Sequence, residues 1–304
     1  MRRKGYGRDA GLTARMVTVT FALGALYVAF FIVLWQIVNF GIGTAVVFAA
    51  GLAIFQWYTS AKVALMASGA KVVTPEQAPE LHAMVDRLCA MADLPKPKVA
   101  IIDTDMPNAF ATGRSPKHSA VAVTRGLWER LEPREVEGVI AHELSHIGNR
   151  DVTIMTVASF FAMLAAILTR FGLYAGMFGG GGRSREGGGA PVWLIMFVVS
   201  MVTYVISYVL MMAISRYREY AADRGAALIT GAPENLMSAL QKIASRMLQI
   251  PQRDLRQAEG LNAFFIIPTS VRSKAGELFM THPPLEKRLA ALSEIAREMG
   301  RPVS

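Results

Sequence analysis

Four uncharged apolar stretches limit what this chain can become more than any other feature of its sequence. Residues 16–38 run for about 23 positions without a charged side chain, enough for a helix to cross a bilayer with some tilt. A second run, 42–58, follows the short uncharged turn Asn39-Phe40-Gly41 and is about 17 residues long, near the lower limit for a span. A third begins at Val152, directly after Asp151, and reaches Thr169; a fourth covers residues 192–214. A cleavable signal peptide is the rival for the first run. Its apolar core is normally shorter and leads to a small-residue cleavage site, whereas here another apolar run follows at once. The first pair therefore reads as a transmembrane hairpin, with Trp35, Trp57 and Tyr58 where interfacial aromatics sit.

Composition agrees. Hydrophobic residues make up 53% of the chain and charged residues 18%, too apolar for an ordinary soluble protein. Arg2, Arg3, Lys4, Arg8 and Arg15 precede the first run, and Lys62 and Lys71 follow the second. By the positive-inside rule both ends of the hairpin are cytoplasmic and the Asn39 turn is outside. The net charge of +9 is explained by this topology signal, and no nucleic-acid motif accompanies it. The single cysteine, Cys89, permits no intrachain disulfide and reads as a small core residue. Between the third and fourth runs lie Gly179–Gly182 and Gly187–Gly189, a flexible linker. If both runs span, that linker is extracytoplasmic and Arg170, Arg183 and Arg185 sit on the disfavoured side; the alternative is a buried or partly inserted hairpin. The expected division is 1–60 (basic tail and hairpin), 61–151 (first soluble part), 152–214 (second hairpin) and 215–304 (second soluble part).

The soluble parts carry helix and strand signals. Thr74-Pro75-Glu76 reads as a helix start, with Leu81, Val85, Leu88 and Met91 on one face of a helix reaching Met91. Residues 98–103 and 120–123 read as short strands, and 127–131 as a short helix. A helix over 133–149 opens on Pro133, with Glu135 and Glu137 near its positive end. Residues 215–228 read as helical, as do 233–248 and 285–299, whereas 251–276 are irregular. The chain is thus expected to be mostly α with a small β-sheet.

Within the helix at 133–149 stands His142-Glu143-Leu144-Ser145-His146. Residues four apart share a helix face, so both rings can meet one metal ion while Glu143 reaches a water beside it. Two imidazoles, an open position and a neighbouring carboxylate are the parts of a zinc hydrolase. Two surface histidines on an amphipathic helix are the bland alternative. A third ligand must come from elsewhere: His82, His118 and His282 remain, with many carboxylates. Glu219 is the best candidate, because Asp223 lies four residues on and can hydrogen-bond the far nitrogen of a ligand histidine. A solvated face, Arg216 to Arg224, is the other reading of these charges.

Four segments together resemble the HtpX-type membrane zinc metalloproteases, relatives of the CAAX-type membrane proteases in the gluzincin group. They are Pro107-Asn-Ala-Phe-Ala-Thr-Gly113, Ala141-His-Glu-Leu-Ser-His-Ile-Gly-Asn-Arg-Asp151, Ser215-Arg-Tyr-Arg-Glu-Tyr-Ala-Ala-Asp223 and Thr281-His-Pro-Pro284. With the order of apolar runs, the resemblance covers almost the whole chain. It implies a gluzincin-like domain with one zinc ion bound by His142, His146 and Glu219, Glu143 as general base, Asp223 in support, and a substrate-binding edge strand near Asn108, Ala109 and Phe110. It implies a multi-pass plasma-membrane endopeptidase that clears damaged or misfolded membrane proteins; with the positive-inside reading, its N-terminus and protease domain are expected to be cytoplasmic. His282 is a candidate second electrophile for the oxyanion, or else a structural residue at a helix start. A non-catalytic scaffold retaining the zinc fold is the alternative from another class. A transporter is disfavoured because the apolar runs lack ionisable residues.

Overall fold

Between Lys71 and Thr124 the chain forms a mixed sheet in the order β1-β2-β4-β3, made of β1 (Lys71–Val72), β2 (Lys98–Ile102), β3 (Ala109–Ser115) and β4 (His118–Thr124). The computed structural model describes residues 10–37, 42–151, 192–247 and 282–301, with positions 154, 165–166, 169–170 and 249 besides. β2 and β4 run parallel, while β3 and β1 pair antiparallel at the two edges. Alternation sends Val99, Val121, Val123 and Ala109 into the main core. Ala100, Phe110 and Ala122 face the other way. Gly113, in β3, has φ +148°, and a Cβ there would stand 2.5 Å from His118 O, so the strand needs glycine at this point.

Eight helices surround the sheet among the described residues: α1 (Ala10–Ile37), α2 (Ile42–Ala67), α3 (Pro79–Ala92), α4 (Arg125–Arg130), α5 (Pro133–Gly148), α6 (Val192–Thr230), α7 (Pro233–Met247) and α8 (Leu285–Glu298). α5 packs one side of the sheet, α6 and α7 pack against α5, and α8 packs on α6 and α7. Leu88, Ile140, Leu144, Leu240 and Leu292 are wholly buried in this core, each contributing about 1.5–3 kcal/mol by leaving water. Cys89 is buried there, and burial pushes its thiol up to about 11.

Among the described residues, Trp193–Thr230 is long and apolar enough to cross a bilayer, and Ala14–Phe30 is a shorter apolar stretch within α1. The first and second apolar runs are helical as expected. The third run and the glycine tract lie, isolated positions apart, outside the described residues, as do residues 251–276. The fourth run and the helix expected over 215–228 are continuous. They form one 39-residue helix, about 58 Å long, so an apolar stretch and Glu219 share one rigid rod. α1 packs along it through Leu23 and Tyr27 against Met211, Met212 and Ile214.

Two local expectations fail. The helix expected from Thr74 begins at Pro79, and residues 75–77 form a turn closed by the Gln77 and Ala78 amides on Thr74 O. The ring of Pro79 would clash with the carbonyl four residues back, so a helix started at Pro75 cannot run through it; at the first helical position proline costs nothing. Met91 is 52% exposed, and Ala92 is buried with Leu81, Val85 and Leu88 in its place.

Candidate metal centre

α5 is held in register at its start. Pro133 sits at the first turn, Glu132 and Glu135 close a capping box, and Glu135 also binds Ser238 and Lys242 of α7. One face of this helix presents His142 and His146. Their Nε2 atoms stand 3.2 Å apart, with rings nearly perpendicular. Glu219, from α6, brings Oε2 to 3.6 Å from His142 Nε2 and Oε1 to 3.5 Å from His146 Nε2. One donor atom from each of the three lies within 4.8 Å of the others, and all three residues are buried.

The far side of each ring faces a carboxylate. Asp151 Oδ2 is 2.7 Å from His146 Nδ1, and Arg218 Nε is 3.3 Å from the other oxygen of Asp151. Asp223 Oδ1 is 2.9 Å from His142 Nδ1, at an angle that misses a well-formed hydrogen bond. Asp223 accepts two bonds from Arg288 of α8, from Nε at 2.9 Å and Nη2 at 2.6 Å. Arg288 Nη1 also stands 3.3 Å from Glu219, and His282 Nδ1 stands 3.0 Å from it.

These residues fit a divalent cation. With each Nδ1 turned to a carboxylate, both Nε2 atoms face each other and Glu219, and only a proton or a cation can hold such acceptors together. Glu219 Oε2 is buried without a well-formed hydrogen bond. Four carboxylates are buried here (Glu143, Asp151, Glu219, Asp223); Asp151 faces Arg218, and Glu219 and Asp223 face Arg288, so two negative charges stand in excess in a buried site. Without a metal, protons compensate. Burial opposes a charge on His146, but the hydrogen bond to Asp151 and the nearness of Glu219 prevail and push it up to about 10. Glu143 is pushed above the usual carboxylate range by burial, against the nearby histidines and a hydrogen bond from the Ala111 amide of β3.

The substrate-strand residues are placed differently from one another. Asn108 O accepts from Thr124 N–H at 2.9 Å, and Asn108 N–H donates to Thr124 Oγ1 at 2.9 Å. Ala109 and Phe110 open β3, but their side chains enter the two cores. Beside the Ala109 side chain in the core, β3 turns the backbone amide of Ala111 toward Glu143 of α5. Asp151, Arg218 and Arg288 were not singled out as site residues from the sequence. Asp151 carried a signal, standing five positions after His146 in one of the matching segments; Arg288, inside Glu286-Lys287-Arg288, looks like any solvated helix face.

Residues 75–296 match the family described as peptidase family M48. A "Protease HtpX homolog" of Moorella thermoacetica is 52% identical over 297 residues, covering 98% of both chains. A "Protease HtpX homolog 2" of Methanosarcina mazei is 48% identical over 300 residues, covering 99% of this chain and all of that one. The crystal structure of S. mikatae Ste24p shares the fold at a TM-score of 0.52 and 21% identity, over 92% of this chain and 65% of that longer one.

Proposed function

The chain belongs to peptidase family M48, with the HtpX-type membrane metalloproteases, and from that premise we propose how its residues divide the work. His142, His146 and Glu219 hold one zinc ion. When bound, zinc supplies Lewis acidity, polarising the scissile carbonyl and acidifying water. Glu143 takes a proton from the attacking water and delivers it to the leaving amine, a role suited to a carboxyl group whose pKa burial has raised. Asp223 and Asp151 orient the two rings from behind. His282 and Arg288, both at Glu219, are the donors within reach of a developing oxyanion.

An extended substrate adds to the edge of β3 near Asn108, Ala109 and Phe110. Main-chain hydrogen bonds then give affinity without reading sequence, so specificity is broad. The substrates are damaged or misfolded membrane proteins. The protease parts, 61–151 and 215–304, lie on the cytoplasmic side of the plasma membrane with the N-terminus, and hairpins 1–60 and 152–214 anchor them in the bilayer as four spans. The observation that carries this reading is the meeting of His142, His146 and Glu219 within 4.8 Å, just beyond the apolar part of α6. Glu143→Gln is expected to keep its zinc and lose cleavage of a casein-type substrate. Wild-type cleavage by that variant removes Glu143 as the base.

A further inference from the structure

With α2 as one of the spans proposed above, two contacts give β3 a direction relative to the membrane. α2 leaves its uncharged run at Tyr58, where Ile54, Phe55 and Tyr58 are exposed apolar residues; Lys62 follows one turn on. Seven residues beyond Tyr58, about 10 Å along the helix, Leu65 packs with Ala70 on the cluster of Ala100, Phe110 and Ala122. At the other end of β3, the guanidinium of Arg114 lies 4.6 Å from the centre of the Tyr58 ring. Phe110 and Arg114 are four strand residues apart, about 13 Å. The two spacings agree, so β3 runs alongside α2 in the opposite sense. Phe110 is its membrane-distal end and Arg114 its membrane-proximal end. The β3–β4 turn, with exposed Lys117, then joins Arg114 and Lys62 in a basic rim at the bilayer level, where anionic headgroups are favourable partners.

Among the described residues the outer edge of β3 pairs with no strand, and this edge has a definite phase. Because Asn108 O is bonded to Thr124 of β4, the backbone of Phe110 and Thr112 turns to β4, and that of Ala109 and Ala111 turns outward. The Ala111 amide is the one that meets Glu143, so the reacting bond of an added strand lies opposite Ala111. Antiparallel addition is the more stable and more frequent pairing. A strand added antiparallel to β3 enters at Arg114, from the membrane, and leaves past Phe110, away from it.

On the metalloprotease reading given above, we propose that the site selects the polarity of its substrate: it cleaves segments whose N-terminal end is anchored in the membrane, and disfavours those anchored by their C-terminal end. The reacting bond sits about 10 Å from the bilayer level, three extended residues from Arg114 to Ala111, so cleavage falls within a few residues of the membrane exit.

Two single-span substrates test this, carrying the same unstructured segment after the span in one and before it in the other. Both are reconstituted in vesicles with the full-length zinc-loaded protein, beside casein as an untethered substrate. The N-anchored substrate is expected to be cut about tenfold or more faster, because only its segment can lie antiparallel to β3 while tethered and so gain the effective concentration that tethering gives. Equal or reversed rates with casein cut normally overturn the polarity alone. No cleavage of casein or either span overturns the protease reading as well. A second readout needs no turnover. In the Glu143→Gln protein, a photo-crosslinking side chain at Ser115 is expected to capture residues N-terminal to the cleavage point, and one at Asp105 residues C-terminal to it. The opposite pattern means parallel addition and refutes the proposal.

Discussion

Asp151 Oδ2 lies 2.7 Å from His146 Nδ1, and this contact decides which ring nitrogen is left for a metal. The carboxylate is wholly buried and is itself faced by Arg218, from the helix that also carries Glu219. Asp151→Asn keeps the shape but loses the charge that favours a donating Nδ1. The variant is expected to bind zinc about 10–100-fold more weakly, the usual effect of removing such a partner. Competition with a chromogenic chelator measures this, and unchanged affinity contradicts the role given to Asp151.

Gly225 meets Ser145 where α6 crosses α5. A Cβ on Gly225 would stand 2.5 Å from Ser145 Oγ and 2.8 Å from its Cβ. Ser145 cannot swing away freely, because its hydroxyl donates to Ala141 O at 2.8 Å. Gly225→Ala is expected to cost about 1–3 kcal/mol, the range for overpacking, and to lower zinc retention by pushing Glu219 away from the histidines. Adding Ser145→Ala relieves the Oγ contact and is expected to recover part of the loss. Full zinc retention in Gly225→Ala alone contradicts the close crossing, and denaturant unfolding reads the stability.

The metal-free site has a pH signature. His146 rises from 6.5 to about 10 on folding without a metal. A raised pKa contributes stability that is complete below the unfolded value and lost as pH climbs through the folded one. The metal-free chain is therefore expected to lose stability between pH 6.5 and about 10. Zinc displaces the same proton, so its affinity is expected to rise over that window. Melting curves with and without zinc at several pH values check both trends; a metal-free stability that rises over this range contradicts the assignment.

Much of the fold and part of the site were legible in the sequence, for identifiable reasons. The helical spacing of His142 and His146 is local, so five residues disclosed it. Glu219 and Asp223 were found the same way, as a second pair of side chains four apart on one helix. α5, α7 and α8 followed from apolar periodicity and a leading proline. What escaped depends on distant contacts. Arg288 gains its meaning only where α8 lays it against Asp223, 65 residues earlier. β3, expected only from the resemblance, has Gly113 and Arg114 toward its C-terminal end and little β-branched character, so it becomes a strand through pairing with β4. At Thr74-Pro75 a sound capping signal was overruled by a second proline four residues on.

The central claim is that His142, His146 and Glu219 hold one zinc ion, and zinc content measures it most directly. Full-length protein purified without chelator is expected to carry about one zinc per chain, the stoichiometry of a three-ligand catalytic site. Glu219→Ala, prepared identically and shown to be folded by its helical circular dichroism, is expected to carry almost none. Full zinc occupancy in folded Glu219→Ala contradicts the account.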